Sequence, residues 1–438
     1  MWTYEKAIEF TKNAAKKGSV LGLESIQNLM AELNHVENEI RCVHIAGTNG
    51  KGSTGAFLES ILIEAGMKVG RFSSPAVFDA FEVWKINGQS ISKKEYTTIM
   101  SQVKKACDIV VSKGFLEPTI FEIETAAAFL YFYQNKVDIA LIEVGMGGAT
   151  DATNVINSPV ASVITSISMD HMAFLGDTLS EIAMVKAGII KKNCPTFSAV
   201  QDAEVANVLK KVTNEKNSQL VMVNPEDIGY ISLNINENKL EFFYKNRKYV
   251  ITLLGEYQAK NATLAIETAE YLLKNINIIH MTPVEVEAVI FNGLKKTIWP
   301  GRFEIIKKEP FFIIDGAHNY DAAIQLRHII EKNFPKEQLN FIIGVLKDKE
   351  YGKIIDVMIP FANRIITVTT PNNPRALDGE KLKEEIIKRN KKLEVYVASS
   401  LEEAAKLSIA WANEDGHKTI AFGSLSYLGE MKTYIKKL

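Results

Sequence analysis

The chain has 438 residues, 47% hydrophobic and 24% charged, a globular composition with material for two or three domains. Lysine plus arginine is 51 against 52 aspartate plus glutamate, a formal net charge of −1, which argues against nucleic acid as the main partner. Cys42, Cys107 and Cys194 are widely spaced, which argues against a disulfide framework or a CxxC zinc site, and without a membrane-length apolar run or a leader-like N-terminus the chain is expected in the cytoplasm, away from membranes.

In chain order, the first forty residues carry helical periodicity, with Tyr4, Ala7, Ile8 and Phe10 and then Leu23, Ile26, Leu29, Met30 and Leu33 at three-and-four spacing. Cys42–Ala46 is a short apolar run typical of a buried strand. Gly47-Thr48-Asn49-Gly50-Lys51-Gly52-Ser53 is a glycine-rich turn. A helix with Phe57, Ile61 and Ala65 on one stripe follows and stops at Gly66, and Lys68–Ser73 is the next strand, which completes one βαβ unit. Residues 121–134 predict an apolar helix, and Val137–Val144 and Val160–Ser166 predict buried strands of a parallel sheet covered on both faces. Residues 228–254 alternate apolar and polar in short runs, which predicts an antiparallel patch appended to the main sheet. A helix is expected from about Gln258 to Leu273.

A second series begins after Leu294–Pro300. Phe311–Ile314 is a strand, DGAHN follows, and a helix starts near Asp321. Strands at 340–345, 364–369, 394–397 and 418–422 then alternate with helical stretches. The expected fold is α/β: a phosphate-loop domain over residues 1–297 with a mainly parallel sheet, then a smaller Rossmann-like α/β domain over 298–438.

The turn at 47–54 has the flanks a phosphate loop requires, a strand before it and a helix after it. Glycines let backbone N–H groups converge on phosphate oxygens, the helix N-terminus adds partial positive charge, and Lys51 adds a full one. The spacing departs from G-x4-G-K-[ST], because Gly52 stands between Lys51 and Ser53. GTNGKGS resembles the loop of the Mur ligase superfamily, in its folate branch. LGLESI (21–26), SSP (73–75), EVGMGGATDATN (143–154), ITSISMDHMAFLGDTLSEIAMVKAGII (164–190), GEYQAKNATLA (255–265), WPGRFEII (299–306), DGAHN (315–319) and TTPNNPRAL (369–377) carry the same resemblance, in the family's order. The chain is similar to the folylpolyglutamate synthase/dihydrofolate synthase family. The resemblance implies a Mur-ligase-like ATPase domain followed by a Mur-ligase-like C-terminal domain.

Glu143 ends a buried strand near the loop, and His171 follows another strand. Mg2+ takes oxygen ligands and keeps waters. A carboxylate from Glu143 and a hydroxyl from Ser73 or Ser74 suit it, whereas His171 read alone is a hydrogen-bonding residue flanking a helix. The resemblance implies Ser74, Glu143 and His171 at the magnesium positions. Lys186 lies near the end of a helix opened by a Thr178–Glu181 capping box. Read alone, it is either a lysine that snorkels to water or an amine whose pKa falls through burial. The resemblance implies a carbamylated lysine there.

Asn261 suits an adenine edge or a helix cap. Arg302, at the expected domain boundary, can reach phosphates across a cleft. Asp315 suits ribose hydroxyls or caps the helix that follows, and His318 suits a phosphate. The resemblance implies ATP contacts from Asn49, Gly50, Lys51, Gly52, Ser53, Thr54, Asn261, Arg302 and Asp315, with Lys51, Lys186 and His318 in the chemistry. For the folate it points to Leu23, Glu24, Phe121, Thr150 and Asp151. Phe121 is equally an ordinary core aromatic.

The activity implied is ATP-dependent ligation of L-glutamate to a folate or to dihydropteroate through an acyl phosphate, by a monomer. The chain departs from the family with Ala76 after SSP, Val83 in place of an arginine after Glu82, Ala149 for arginine and Thr150 for leucine. These positions cluster on the acceptor side, so a Mur-type ligase for another carboxylate and a silent nucleotide-binding relative stay open as alternatives.

Overall fold

The computed structural model describes residues 2–16, 18, 22–170, 172–276 and 278–438. Its first sheet has eight strands: β1 (Cys42–Ala46), β2 (Val69–Phe72), β3 (Trp84–Ile86), β4 (Gln89–Ser90), β5 (Ile139–Glu143), β6 (Ala161–Ile164), β7 (Thr196–Ser198) and β8 (Leu220–Met222), in the order β4-β3-β2-β5-β1-β6-β7-β8. The strands from β2 to β8 in that order pair in parallel, and at one edge the β2–β3 and β3–β4 pairings are antiparallel. β1 and β5 are buried throughout, as expected of strands covered on both faces.

The two faces carry separate cores. On one, the Ile120–Gln134 and Lys93–Ser112 helices bury Phe129, Phe132, Met100 and Val103 against Phe72 and Ile142. On the other, the Lys51–Glu64 helix packs Phe57, Leu58 and Ile61 between the sheet and the Tyr257–Asn275 helix. The Lys93–Ser112 and Pro283–Lys296 helices go beyond the sequence reading, although each opens on a complete capping box, Ser92 with Glu95 and Thr282 with Glu285.

The antiparallel patch needs correction. β9 (Ile228–Asn234), β10 (Lys239–Tyr244) and β11 (Arg247–Ile251) form a three-stranded sheet of their own and do not extend the main one. Leu240, Phe242, Tyr244 and Ile251 point one way from this sheet into the core shared with the Lys51–Glu64 and Tyr257–Asn275 helices. It is held by side-chain burial and not by edge hydrogen bonds.

The C-terminal sheet contains β12 (Glu304–Lys308), β13 (Phe311–Ile314), β14 (Leu339–Ile343), β15 (Ala362–Val368), β16 (Glu394–Ala398) and β17 (Thr419–Phe422), in the order β12-β13-β17-β14-β15-β16. Only β12 is antiparallel. Its two faces bury separate clusters, one around Phe341 and Phe422 and one around Ile342 and Tyr427. Among the described residues no helix is long and apolar enough to cross a membrane.

Phe57 is fully buried beneath the phosphate-loop helix. Phe57→Ala is expected to destabilise the chain by about 3–5 kcal/mol, the usual range for emptying such a site. Urea denaturation measures it, and a loss below ~1 kcal/mol would mean that the helix is not anchored there.

Candidate active site

The Gly47–Thr54 segment leaves the carboxyl end of β1 and enters the Lys51–Glu64 helix. Gly50 is its N-cap, at φ +91°, and a Cβ there would lie 2.4 Å from Asn261 Oδ1. Glycine is therefore required both for the backbone turn and for the close approach. A Cβ on Gly52 would lie 2.7 Å from Trp299 Cζ2. This contact brings the segment linking the two series of elements against the loop. Trp299 also carries the Arg71 guanidinium 4.0 Å over its ring. Arg71 is buried, pairs with Glu59 at 2.8 Å and donates to the Gly52 carbonyl at 3.2 Å.

Two lysines meet inside the loop. Lys51 Nζ donates to the carbonyls of Gly47 and Thr48 at 3.2 and 3.3 Å, and Lys186 Nζ donates to the same Gly47 carbonyl at 2.8 Å. Lys186 is buried, so the snorkelling alternative does not describe it. Burial first, and then the Lys51 charge, push its pKa down to about 7. Glu143, at the end of β5, is buried and has no hydrogen-bond partner among the described residues. Desolvation raises its pKa against the opposing pull of Lys51, Arg71 and Arg302.

The loop opens into one large cavity of about 1070 Å³, at or beyond the upper end of the ~300–1,000 Å³ usual for a single ligand. Asn49 to Ser53, Lys186 and Glu143 line its nucleotide end, together with Asn261, Arg302, Asp315 and His318 from the later elements. Ser74 lines it and Ser73 does not. Phe121, Thr150 and Asp151 line the other part. Leu23 and Glu24 are not brought to the cavity: Leu23 packs at the edge of a core and Glu24 is exposed, while the neighbouring Gly22 reaches the wall. Thr54 is fully buried on the helix and also stands off the cavity. His171 lies outside the described residues.

The capping alternatives for Asn261 and Asp315 fail on geometry. Asn261 sits inside the Tyr257–Asn275 helix, where its Nδ2 donates to Gln258 Oε1 at 2.9 Å. Asp315 accepts the Phe303 and Ala317 amides at 2.7 and 2.8 Å, while Asn319 caps the following helix. His318 Nδ1–H donates to the Gly316 carbonyl at 2.8 Å, which leaves Nε2 as an acceptor, and burial pushes the ring down to about 4.

Contacts between the two halves were not readable from sequence spacing. Asn49 Nδ2 donates to Asp321 Oδ2 at 2.8 Å, Asn319 Nδ2 donates back to Asn49 Oδ1 at 3.1 Å, and Lys349 pairs with Asp170 at 2.7 Å in a nearly buried bridge. Asn319 lies in the DGAHN segment and Asp170 precedes His171, so each had a local signal, whereas Lys349 had none. Beneath the loop, His44 on β1 also went unnoticed. Its Nε2 lies 2.9 Å from Thr153 Oγ1, which donates to Asp151 Oδ1 at 2.5 Å. His44 must therefore donate from Nε2, and its unpartnered Nδ1 is bare.

Among the described residues no group of three or more His, Cys, Asp or Glu side chains is arranged to hold a metal. The unpartnered Glu143 carboxylate with the Ser74 hydroxyl, facing a phosphate loop, nevertheless fits a hard cation that keeps waters and takes phosphate oxygens.

A phosphate loop at the carboxyl end of a central parallel strand, with a second α/β unit closing one wall of its cavity, defines a two-domain nucleotide-binding enzyme. The model of the Mur ligase middle domain matches residues 45–269, and that of the Mur ligase glutamate ligase domain matches 301–425. The dihydrofolate synthase/folylpolyglutamate synthase of Bacillus subtilis is 37% identical over 83% of this chain and 84% of its own. Folylpolyglutamate synthase of Mycobacterium tuberculosis, solved with ADP and AMPPCP, superposes with a TM-score of 0.89 at 26% identity over 99% of both chains. An FPGS complex with AMPPCP and folate superposes with a TM-score of 0.83 at 27% identity over 100% of both. The chain belongs to the folylpolyglutamate synthase/dihydrofolate synthase family of Mur ligases.

Folded Lys186 releases its proton near pH 7, whereas an unfolded lysine holds it to about pH 10.4. Between those values the unfolded state binds more protons, so this residue makes stability rise with pH. Lys186→Met is expected to remove that component. Urea unfolding across the window checks it, and equal slopes in both proteins would contradict it.

Proposed function

We infer that this chain is an ATP-dependent ligase that joins the α-amine of L-glutamate to a carboxylate of a folate. The observation that carries the reading is the single cavity. It joins a phosphate loop with two lysines at one end to an aromatic-lined slot at Phe121 at the other, with room for a nucleotide and a second substrate.

A carboxylate is a poor electrophile because its leaving group would be oxide. An oxygen of the folate carboxylate attacks the γ-phosphorus of ATP, the bond to the β–γ bridging oxygen breaks, and ADP leaves. The acyl phosphate is then attacked at carbon by the neutral amine of glutamate, inorganic phosphate departs, and an amide remains. The loop amides, Lys51 and Arg302 hold the phosphates and spread the charge that develops in transfer. Asn261 and Asp315 face the nucleoside, and the bare Nε2 of His318 faces the phosphates as a hydrogen-bond acceptor for a protonated group. Ser74, Glu143 and His171 would hold Mg2+, which supplies electrostatic neutralisation of the transferring phosphoryl group. Lys186, with an amine that is substantially neutral at pH 7, is the site of carbamylation in this account. The product carboxylate is an anion next to Lys51.

Phe121, Thr150 and Asp151 face the acceptor. Leu23 and Glu24 would contribute only if the early segment closes further over the slot. Two domains meet at residues 297–298, and the chain works as a monomer. Its three buried free cysteines suit the reducing cytoplasm.

Purified protein with Mg-ATP and glutamate is expected to release ADP only when dihydropteroate or tetrahydrofolate is added, with one glutamyl unit gained by the acceptor. Lys51→Ala is expected to lower kcat by about 10²- to 10³-fold. ATP binding without release with either acceptor would contradict the folate reading.

A further inference from the structure

The acceptor part of the cavity is lined by three carboxylates, and two are already spoken for. Glu122 accepts the amide and hydroxyl of Thr119 and the Ser25 hydroxyl. Asp151 accepts the Met146 amide and both the amide and hydroxyl of Thr153. Glu124 lines the same cavity, yet among the described residues its carboxylate has no hydrogen-bond or ion-pair partner. Burial alone pushes its pKa up to about 7, and no basic group offsets that shift. The basic side chains of the cavity belong to its nucleotide end, and the neighbouring wall presents Ala80 and Val83.

The backbone fixes where this carboxylate stands. Glu124 follows Phe121 by three residues on the Ile120–Gln134 helix, a spacing that puts both side chains on one face with Cβ atoms about 5–6 Å apart. The Trp84 indole N–H on β3 donates to the Glu124 carbonyl at 3.0 Å, which holds the Ala80–Val83 turn beside this face. Phe121 is braced by the Phe72 ring, 6.0 Å between centroids, and by Gly145, where a Cβ would lie 2.5 Å from Phe121 Cζ. The result is a fixed aromatic platform with a free, poorly solvated acceptor at its edge. A desolvated carboxylate without a partner is unfavourable, so the site gains most from a planar ligand that stacks on Phe121 and offers N–H donors to Glu124.

We propose that Glu124 is a specificity-determining residue that accepts the paired ring N–H and exocyclic amino donors of the acceptor's pterin while its ring stacks on Phe121. The proposal rests on the folate reading of this cavity. It adds a residue and names the edge of the substrate that is read. Two adjacent donors match the two oxygens of a carboxylate, as in other bidentate pairs.

The test uses the full chain with steady-state kinetics for dihydropteroate and tetrahydrofolate. Glu124→Leu is expected to raise KM for the accepted folate roughly 10- to 100-fold, the range for losing hydrogen bonds to a charged group. KM for ATP and kcat at saturating folate stay within about twofold of the parent protein. Glu124→Asp is expected to recover part of the loss. An acceptor lacking the exocyclic amine is expected to bind the parent protein worse than the complete pterin and to lose that disadvantage in Glu124→Leu. Unchanged folate KM in Glu124→Leu would overturn the proposal and leave the ligase reading intact. A parallel rise in KM for ATP would overturn it too, by showing a structural role. If the parent protein turns over with no folate, the underlying reading itself fails, before any variant is compared.

Discussion

Two lysine side chains share one backbone carbonyl. Lys51 and Lys186 reach the Gly47 oxygen from the loop's own helix and from a helix more than a hundred residues later. Like charges this close repel, and protein around them screens the repulsion far less than water does. The fall of the Lys186 pKa to about 7 records both desolvation and that repulsion. Anionic charge placed between the two relieves the strain. A triphosphate supplies it, and the carbamate proposed on Lys186 would supply it as well. The buried Glu143 carboxylate, without a hydrogen-bond partner among the described residues, is the complementary problem, a desolvated acid only partly offset by Lys51, Arg71 and Arg302. The loop is therefore suited to a ligand that brings negative charge, and the rest of the first domain holds β1, β5 and the two helices so that these groups stay in register.

The second α/β unit completes the same electrostatic arrangement. Arg302 and Lys349 add positive charge to the cavity wall, and Asp170 and Asp321, which also border it, bind the two halves together with Asn319. Trp299 lies flat under Arg71 and against Gly52, so the connecting segment is seated on the phosphate loop. Loop and second domain are thereby coupled by direct contact, with no intermediate element.

Most of the nucleotide end was legible because its signals are local. A β-branched run, glycines, lysine and hydroxyls occur together at residues 42–54, and each reports a backbone requirement that folds in place. The DGAHN segment and the end of β5 were legible for the same reason. Contacts made across long separations were not. Nothing near Arg71 announces Trp299, and nothing near Lys349 announces Asp170. The separate sheet at β9–β11 was misplaced because alternation gives a strand's two faces and not its neighbour. Glu122 and Glu124 illustrate the same limit within one segment. They are two residues apart in FEIE, but the first is consumed by a capping box and the second faces the cavity with its oxygens free. The Leu23–Glu24 pair shows the reverse case, where similarity to the family pointed to a site that the described fold does not bring them into.

The central claim is that this charge arrangement activates a carboxylate by phosphoryl transfer. The most direct measurement is the fate of the oxygen atoms. With the acceptor carboxylate labelled with oxygen-18, turnover in the presence of ATP and glutamate is predicted to place label in the released inorganic phosphate, because that oxygen bridges carbon and phosphorus in the acyl phosphate and leaves with phosphorus. Retention of all the label in the amide product and unreacted acceptor, with none in phosphate, would contradict the account.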